Sequence, residues 1–469
     1  MNIAKNYYTK IKLAMFILSL TILFLNYFPF NFLNADSYLY IRQAENYKHL
    51  ELLGDSIKDN NVLDSRRVFP YGNIPQFDLM TFTLITFDKL FPWLTTEQNA
   101  HLATILFLFI NTALLGVITW LLTRKTTYTN IVMFVYLMHP ATKLFLRFDK
   151  DLLRLSFVLY LLYVFYKLFL RIKSKRYRNW IILSAFIIFF LGLMATFSRF
   201  NIPFANYYST QYGEVIKSNY ENKISELRQP TFTQIMLLFP NIALILMIAY
   251  ATCKIIQQLK SPAKNLEGLL IIELITVFLI IISNNVIRSY VFLIPLLLMI
   301  PYILSSFYRM NKAIIVLLTM ALLFSNVFVN NTSPTQQYFQ SKELSQAVHL
   351  MKNIPDSVVL TRWDIGYYLQ YAGNLKTFVD GATFNHQNAD FVSDVLSKSE
   401  KDSYDQLVEF EKLYDANVII LVDHKTHMAS KSLQNNSVIL NMQHKPESLK
   451  YYKKIFENNK LRLYMTKWV

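Results

Sequence analysis

Five groups of side chains in this sequence have types and spacings suited to chemistry at a membrane boundary. Asp149-Lys150-Asp151 sets two carboxylates one residue apart between two apolar stretches. Hard oxygen ligands in that pattern bind a divalent cation such as Mg2+ or Mn2+; the same pattern also serves as a solvated loop pair before a helix. Arg288 opens a later apolar stretch. A guanidinium there either meets a phosphate with paired charge-assisted hydrogen bonds or snorkels to the boundary. Trp363-Asp364 follows the β-branched run Val358-Val359-Leu360, where a strand hands over to a helix. In that position the pair offers a ligand an aromatic wall and a hydrogen-bond acceptor, or it is a core aromatic followed by a helix cap. Taken alone, Asp36 reads as a helix N-cap and Glu226 as one charge among several in a polar loop.

These groups must be positioned by a chain of 469 residues that is 53% hydrophobic and 15% aromatic, with 9 Gly. Apolar runs of about 20 residues recur through the first two thirds, as in a polytopic membrane protein. The net charge of +16 sits largely between those runs. The positive-inside rule explains it there, so nucleic-acid binding is set aside. Cys253 is the only cysteine, which excludes a disulfide framework and thiol chemistry.

Lys5, Lys10 and Lys12 place the N-terminus inside, ahead of a first span near 13–32 that reads as a retained anchor. Further spans are expected near 102–123, 129–146, 152–170, 179–197, 232–252, 266–283, 289–307 and 313–330, roughly nine in all. Arg124-Lys125 and the cluster Arg171, Lys173, Lys175, Arg176 and Arg178 mark inner loops. The odd count puts residues 33–100, 198–231 and everything after 332 outside, and every group named above falls on that external side. The expected organisation is a membrane domain over 1–332 and a small extracytoplasmic α/β domain over 333–469. In the latter, Leu344–Met351 and 388–414 read as helical, and Val358–Leu360, Lys376–Val379, Val418–Val422 and Leu461–Tyr464 as strands. Glu273 lies inside the seventh span and has no partner in this reading.

The stretch Trp363-Asp364-Ile365-Gly366, running on through GYYLQYAGN to DGATFN, resembles the WWDYG region of the catalytic subunit of oligosaccharyltransferase. That family moves a glycan from a lipid carrier to asparagine. Arg362 stands here for the first Trp and Ile365 for the Tyr. The resemblance continues through Arg66-Arg67-Val-Phe-Pro-Tyr-Gly in the first external loop, the Asp149-x-Asp151 pair, and Ser225-Glu226 followed by Gln229-Pro230-Thr231. The motifs occur in the family's order, though the chain is shorter than typical members. The resemblance implies a membrane glycosyltransferase of the GT-C type. It implies that Asp36, Asp149, Asp151 and Glu226 hold Mn2+ or Mg2+, with Asp36, Asp151 and Glu226 catalytic. It further implies that Arg288 binds phosphate, and that Arg362, Trp363 and Asp364 bind the acceptor.

The function expected on this basis is metal-dependent transfer of a glycan from a polyprenyl-(pyro)phosphate carrier to asparagine of an acceptor protein. The partners would be a lipid-linked glycan, an acceptor protein and membrane lipid, with no nucleic acid. The location would be a prokaryotic plasma membrane, with the site outside the cytoplasm. The Arg362 departure keeps a second expectation open, a sugar transferase of the same fold acting on a lipid, polysaccharide or hydroxyl acceptor. A non-catalytic glycolipid-binding protein is a third.

Overall fold

In a computed structural model of the chain, the structure describes residues 33, 35–58, 61–67, 69–72, 75, 78–138, 148, 150–171, 341–361, 363–380, 386–423 and 437–467. The chain divides into two compact units. One joins Asn31–Thr104, Arg147–Lys150 and Thr332–Val469; the other joins Met1–Phe30, Ile105–Leu146 and Asp151–Asn331. Residues 31–104 therefore fold with the C-terminal domain, a grouping that hydropathy does not reveal.

In chain order the helices begin with α1 (Ala35–Leu50), which leads to a small hairpin of β1 (Ser56–Lys58) and β2 (Asn61–Leu63). Then come α2 (Leu79–Leu90), α3 (Thr96–Thr123), α4 (Thr126–Met138) and α5 (Lys150–Arg171). Among the described residues, α3 is the one helix long and apolar enough to cross a membrane, and it covers the second expected span. Its hydroxyls are satisfied internally: Thr104, Thr112 and Thr119 donate to carbonyls four residues back, at 2.9, 2.8 and 2.8 Å. This is how a helix carries threonine without exposing an unpaired polar group. Gly116 lets α4 come close, since a Cβ there would stand 2.6 Å from Met133 Sδ. Arg124 and Lys125 turn the chain between α3 and α4, each over an aromatic ring, Trp120 and Tyr128. The first span and the fifth to ninth, with Glu273 and Cys253, lie outside the described residues.

The C-terminal domain contains α6 (Lys342–Lys352), β3 (Ser357–Leu360), α7 (Trp363–Ala372), β4 (Lys376–Thr377), α8 (His386–Ser397), α9 (Glu400–Tyr414), β5 (Asn417–Asp423), α10 (Val438–His444), β6 (Tyr452–Glu457) and β7 (Leu461–Thr466). Its sheet has the order β4-β3-β5-β7-β6. The first three strands are parallel and the last two antiparallel. Val358, Leu360, Val418, Ile420 and Tyr464 face a core completed by α8, α9 and α10. The alternate residues Val359, Ile419 and Leu421 are buried as well, as expected of strands covered on both faces.

The expected helix over 388–414 is two helices, because Ser399 caps α9 by accepting from Asp402 N. Strand β6 escaped the sequence reading: Lys453, Lys454 and Glu457 break its alternation, as is common for edge strands guarded by charge. The parallel crossover β3–α7–β4 runs to one side of β3, while β5 lies on its other side. The Trp-Asp turn thus leaves β3 at its carboxyl end, where the strand order reverses and α/β sheets place their ligands.

Candidate active site

The site is built on two parallel helices, α1 and α7. Tyr38 meets Tyr368 edge to face at 4.9 Å and stacks on Tyr371 at 5.6 Å. Further along, Arg42 Nη1 donates to Gln370 O at 2.9 Å, and Tyr371 Oη donates to Glu45 Oε1 at 3.5 Å. Contacts climb both helices together, so their N-termini lie at the same end. Asp36 is in the first turn of α1, and Trp363 and Asp364 open α7. Burial, together with nearby Asp380 and Asp36, pushes the Tyr367 hydroxyl well above its ordinary value.

Asp36 is exposed. Its neighbour Ser37 is buried and donates from Oγ to Phe148 O at 2.8 Å, while the Phe148 ring packs edge-on against Tyr40 at 6.2 Å. Phe148 immediately precedes the Asp149-Lys150-Asp151 stretch. One hydrogen bond therefore ties the residue after Asp36 to the residue before Asp149. Asp151 begins α5 at its second residue.

The segment between β2 and α2 packs against α7. Arg67 meets Asp380 side-on, with Nε to Oδ2 at 2.7 Å and Nη2 to Oδ1 at 3.1 Å. Their side chains are 3% and 0% exposed, and the guanidinium lies 5.3 Å from the Tyr367 ring centre. Burial alone would lower the Arg67 guanidinium, but Asp380 and Tyr367 hold it above its ordinary value. Gln370 Nε2 completes the cluster with bonds to Thr377 Oγ1 at 2.6 Å and Asp380 Oδ2 at 3.2 Å. A second buried arginine, Arg42, reaches Asp64 at 2.5 Å and Asp55 at 3.3 Å. Burial raises the Asp64 carboxyl against the pull of Arg42.

Backbone pairing adds to this clamp. Thr377 N donates to Arg66 O at 2.9 Å and Phe69 N to Thr377 O at 3.0 Å, so the loop closes the free edge of β4. Asn388 Nδ2 bridges Phe69 O at 3.0 Å and Phe378 O at 2.8 Å. The Phe69 ring packs edge-on against Phe410 and Tyr414. Neither Arg67 nor Asn388 was marked as functional by the sequence. The available signals were the Arg66-Arg67 piece and the Asp380-Gly381 ending of the motif stretch.

Gly366 of the Trp-Asp-Ile-Gly motif has a packing reason. A Cβ there would collide with the carbonyl of Val379 and stand 2.9 Å from Asp380 Cα, both backbone atoms. Alanine at this position is expected to destabilise the domain by about 1–3 kcal/mol, since backbone cannot step aside cheaply. It also pushes α7 away from the Arg67–Asp380 clamp. A thermal denaturation scan of Gly366→Ala beside the wild type checks this; equal midpoints would sink it. Ile365, which stands for the family's Tyr, is 1% exposed, so that departure changes packing rather than a surface contact.

Of the expected site residues, the structure brings together Asp36, the chain on either side of Asp149, and the Trp363-Asp364 turn. Asp149, Glu226, Arg288 and Arg362 lie outside the described residues. For Asp151, Trp363 and Asp364 the description covers the backbone only. Among the described residues no group of three metal-ligating side chains gathers. Three of the four expected carboxylates are among those whose side chains are not described. The donor set itself, all carboxylate oxygen, suits Mg2+ or Mn2+.

Comparison with known proteins fits this geometry. Residues 355–466 match the family model of the STT3/PglB/AglB core domain. The chain is similar to a crystal structure of the Archaeoglobus fulgidus oligosaccharyltransferase tethered with an acceptor peptide containing the NVT sequon. Identity is 12% and the TM-score 0.59, covering 88% of this chain and 69% of that one. It is similar also to the same organism's AglB in complex with an inhibitory peptide and a dolichol-phosphate, at 12% identity and TM-score 0.53, covering 90% and 70%. A third likeness is to the A. fulgidus enzyme complexed with Zn and sulfate, at 12% identity and TM-score 0.52, covering 84% and 64%. A sequence comparison with curated proteins finds no match. The chain thus shares the fold of the A. fulgidus oligosaccharyltransferase. Together with the match of residues 355–466 to the STT3/PglB/AglB core domain, this supports the resemblance to the oligosaccharyltransferase catalytic subunit.

Proposed function

We propose that this chain is an oligosaccharyltransferase. It transfers a glycan from a polyprenyl-(pyro)phosphate carrier to asparagine of an acceptor protein, at the external face of a membrane. The observation that carries this reading is the parallel pair α1 and α7. It places the exposed Asp36 and the Trp363-Asp364 turn at one end of the same unit, with Phe148 bonded beside them. An A. fulgidus protein of this fold holds an acceptor peptide in one structure and a peptide with dolichol-phosphate in another. The partners proposed here are the corresponding ones: lipid-linked glycan, acceptor protein and membrane lipid. The proposed setting is a prokaryotic plasma membrane, with 333–469 and the loops 33–100 and 198–231 outside.

Asp36, Asp149, Asp151 and Glu226 would hold a divalent cation, Mn2+ or Mg2+; Zn occupies the A. fulgidus relative in one structure. Such a cation supplies positive charge where the phosphate leaving group develops its negative charge. Asp36 and Glu226 accept hydrogen bonds from the acceptor amide, an otherwise poor nucleophile, and a carboxylate takes the proton its nitrogen loses. The bond from the sugar's anomeric carbon to phosphate oxygen breaks as the carbon–nitrogen bond forms. Arg288 donates to the departing phosphate. Trp363 and Asp364, beside Arg362, dock the residues that follow the acceptor asparagine.

The test uses purified protein, its native lipid-linked glycan, Mn2+ and a fluorescent peptide carrying Asn-x-Thr. A mobility shift is expected that vanishes with EDTA, returns with Mn2+, and is lost in Asp151→Ala and in an Asn→Gln peptide. A shift unaffected by EDTA would refute metal dependence. Arg362, where the family motif has Trp, favours a second reading, transfer to a lipid, polysaccharide or hydroxyl acceptor. Sugar appearing on such an acceptor with none on the peptide would establish that reading. Binding of the glycolipid without any transfer would instead leave a non-catalytic protein.

A further inference from the structure

We propose that Tyr371 is a positioning residue for the transfer reaction, joining α1, α7 and the first turn of α3 by sharing one proton with the carboxyls of Glu45 and Glu97. The proposal rests on the transfer reading above. All three side chains belong to the same compact unit, and all are half-buried. The Tyr371 hydroxyl donates to Glu45 Oε1 at 3.5 Å and is hydrogen-bonded to Glu97 as well. Glu97 lies in the first turn of α3, ahead of its apolar stretch.

One phenol between two carboxyls sets a proton count. A tyrosine hydroxyl has a single hydrogen to donate, and an ionised carboxylate can only accept. With both glutamates ionised, one of them faces a hydroxyl lone pair and the other's negative charge. With one added proton, Tyr371 donates to one glutamate and accepts from the other, and both bonds close. The surroundings favour keeping that proton: burial, and after it the charge of Glu97, raises the Glu45 carboxyl. Asp88 of α2 acts in the same direction, while His49 and Lys48 in the last turn of α1 oppose it. On α7, Tyr368 feels the charge of Glu97, and His101 follows Glu97 by one turn of α3. Burial, with Glu97 and Glu45, holds the Tyr371 hydroxyl well above its ordinary value, so the carboxyl pair is what titrates.

The ring of Tyr371 carries this state to the site. It stacks on Tyr38 at 5.6 Å; Tyr38 is buried, and Asp36 stands two residues before it in the first turn of α1. Tyr38 also meets Tyr368 edge to face at 4.9 Å. Trp363 and Asp364 open the helix on which Tyr371 lies. The bond from Arg42 to Gln370 O holds α1 to α7 at any ordinary pH, since neither group titrates there. What the shared proton decides is how the Tyr371 ring sits against Tyr38, and whether the first turn of α3 stays joined to the pair. Tyr371 acts through Tyr38 on Asp36 and takes no part in the bond changes.

A carboxyl raised by folding binds its proton more tightly in the native chain than in the unfolded one. Its stabilisation is therefore present at low pH and lost as pH rises through the raised value. The test follows full-length protein in detergent from about pH 5 to about pH 8, a range in which unperturbed carboxyls are largely ionised. Tryptophan fluorescence gives the rate of thermal unfolding, and transfer to the fluorescent peptide at saturating Mn2+ gives kcat. The wild type is expected to unfold several-fold faster and to transfer several-fold more slowly at the upper end. Glu45→Gln and Glu97→Gln, whose amides donate at every pH, should keep the low-pH values throughout, and Tyr371→Phe should show the high-pH values throughout. An unchanged pH slope in the glutamine variants, or fast unfolding of both at every pH, would overturn the proposal. So would a Tyr371→Phe protein that matches the wild type. Unfolding rates that follow the expected pattern with no transfer at any pH would remove the transfer reading, and the positioning role with it. Unfolding rates flat with pH in a wild type that transfers would sink this proposal and leave the transfer reading standing.

Discussion

Replacing Arg67 by alanine is expected to cost about 3–5 kcal/mol, because it strands the Asp380 carboxylate where no water reaches it. Both partners are almost wholly buried, and the side-on geometry satisfies two guanidinium N–H groups with two carboxylate oxygens. Lysine cannot reproduce that fork, so Arg67→Lys should fall between alanine and wild type. The pair Arg67→Met with Asp380→Leu should recover most of the loss, since an apolar pair of similar volume avoids the uncompensated charge. The measurement is the rate of thermal inactivation of the full-length protein in detergent, because unfolding of a membrane protein of this size is a rate rather than an equilibrium. An unchanged rate in Arg67→Ala would show that the first loop does not hold the C-terminal domain. Loss of the clamp also frees α7, so transfer activity should drop together with stability.

Asp36→Ala is expected to behave in the opposite way. Its carboxylate is exposed at the first turn of α1, so removal should change stability by no more than about 0.5 kcal/mol. Activity should fall by about 10²- to 10⁴-fold, the usual size of a general acid–base contribution. Asp36→Asn should be as inactive as alanine, since the amide keeps the shape but neither accepts a proton nor balances a cation. Steady-state transfer to the fluorescent peptide, run beside a thermal scan, separates the two roles. Near-normal transfer with a lowered midpoint would reduce Asp36 to a helix-capping residue and take the proposed carboxylate set apart. Ser37→Ala offers a comparison: it removes the bond to Phe148 O and should reduce activity through placement of the acidic stretch while Asp36 stays intact.

Arg67 and Asp36 differ in how far the sequence revealed them. Asp36, read alone as a helix N-cap, was singled out because the resemblance implies a functional aspartate directly after the first apolar stretch. Arg67 was visible only as part of a motif-like piece, and nothing local connects it to Asp380, 313 positions away. The same contrast separates Gly366, whose requirement comes from the Val379 backbone folding over it, from the N-cap Ser399, whose function is satisfied three residues on.

The sequence by itself determined what depends on composition and local period. The recurring apolar runs with basic residues between them are the pattern of a membrane chain, and α3 is found where hydropathy puts the second of those runs. The β-branched run before Trp363 defines a strand-to-helix turn, and the amphipathic Leu344–Met351 defines a helix. Only the tertiary structure decided that residues 31–104 fold with the C-terminal domain, that α1 and α7 run parallel, and that a threonine backbone of β4 pairs with Arg66 and Phe69. Those facts rest on buried ion pairs and edge hydrogen bonds between segments about 300 residues apart. The energy of such contacts comes from desolvation and geometry at the point of meeting, and neither is written in the order of residues on either side.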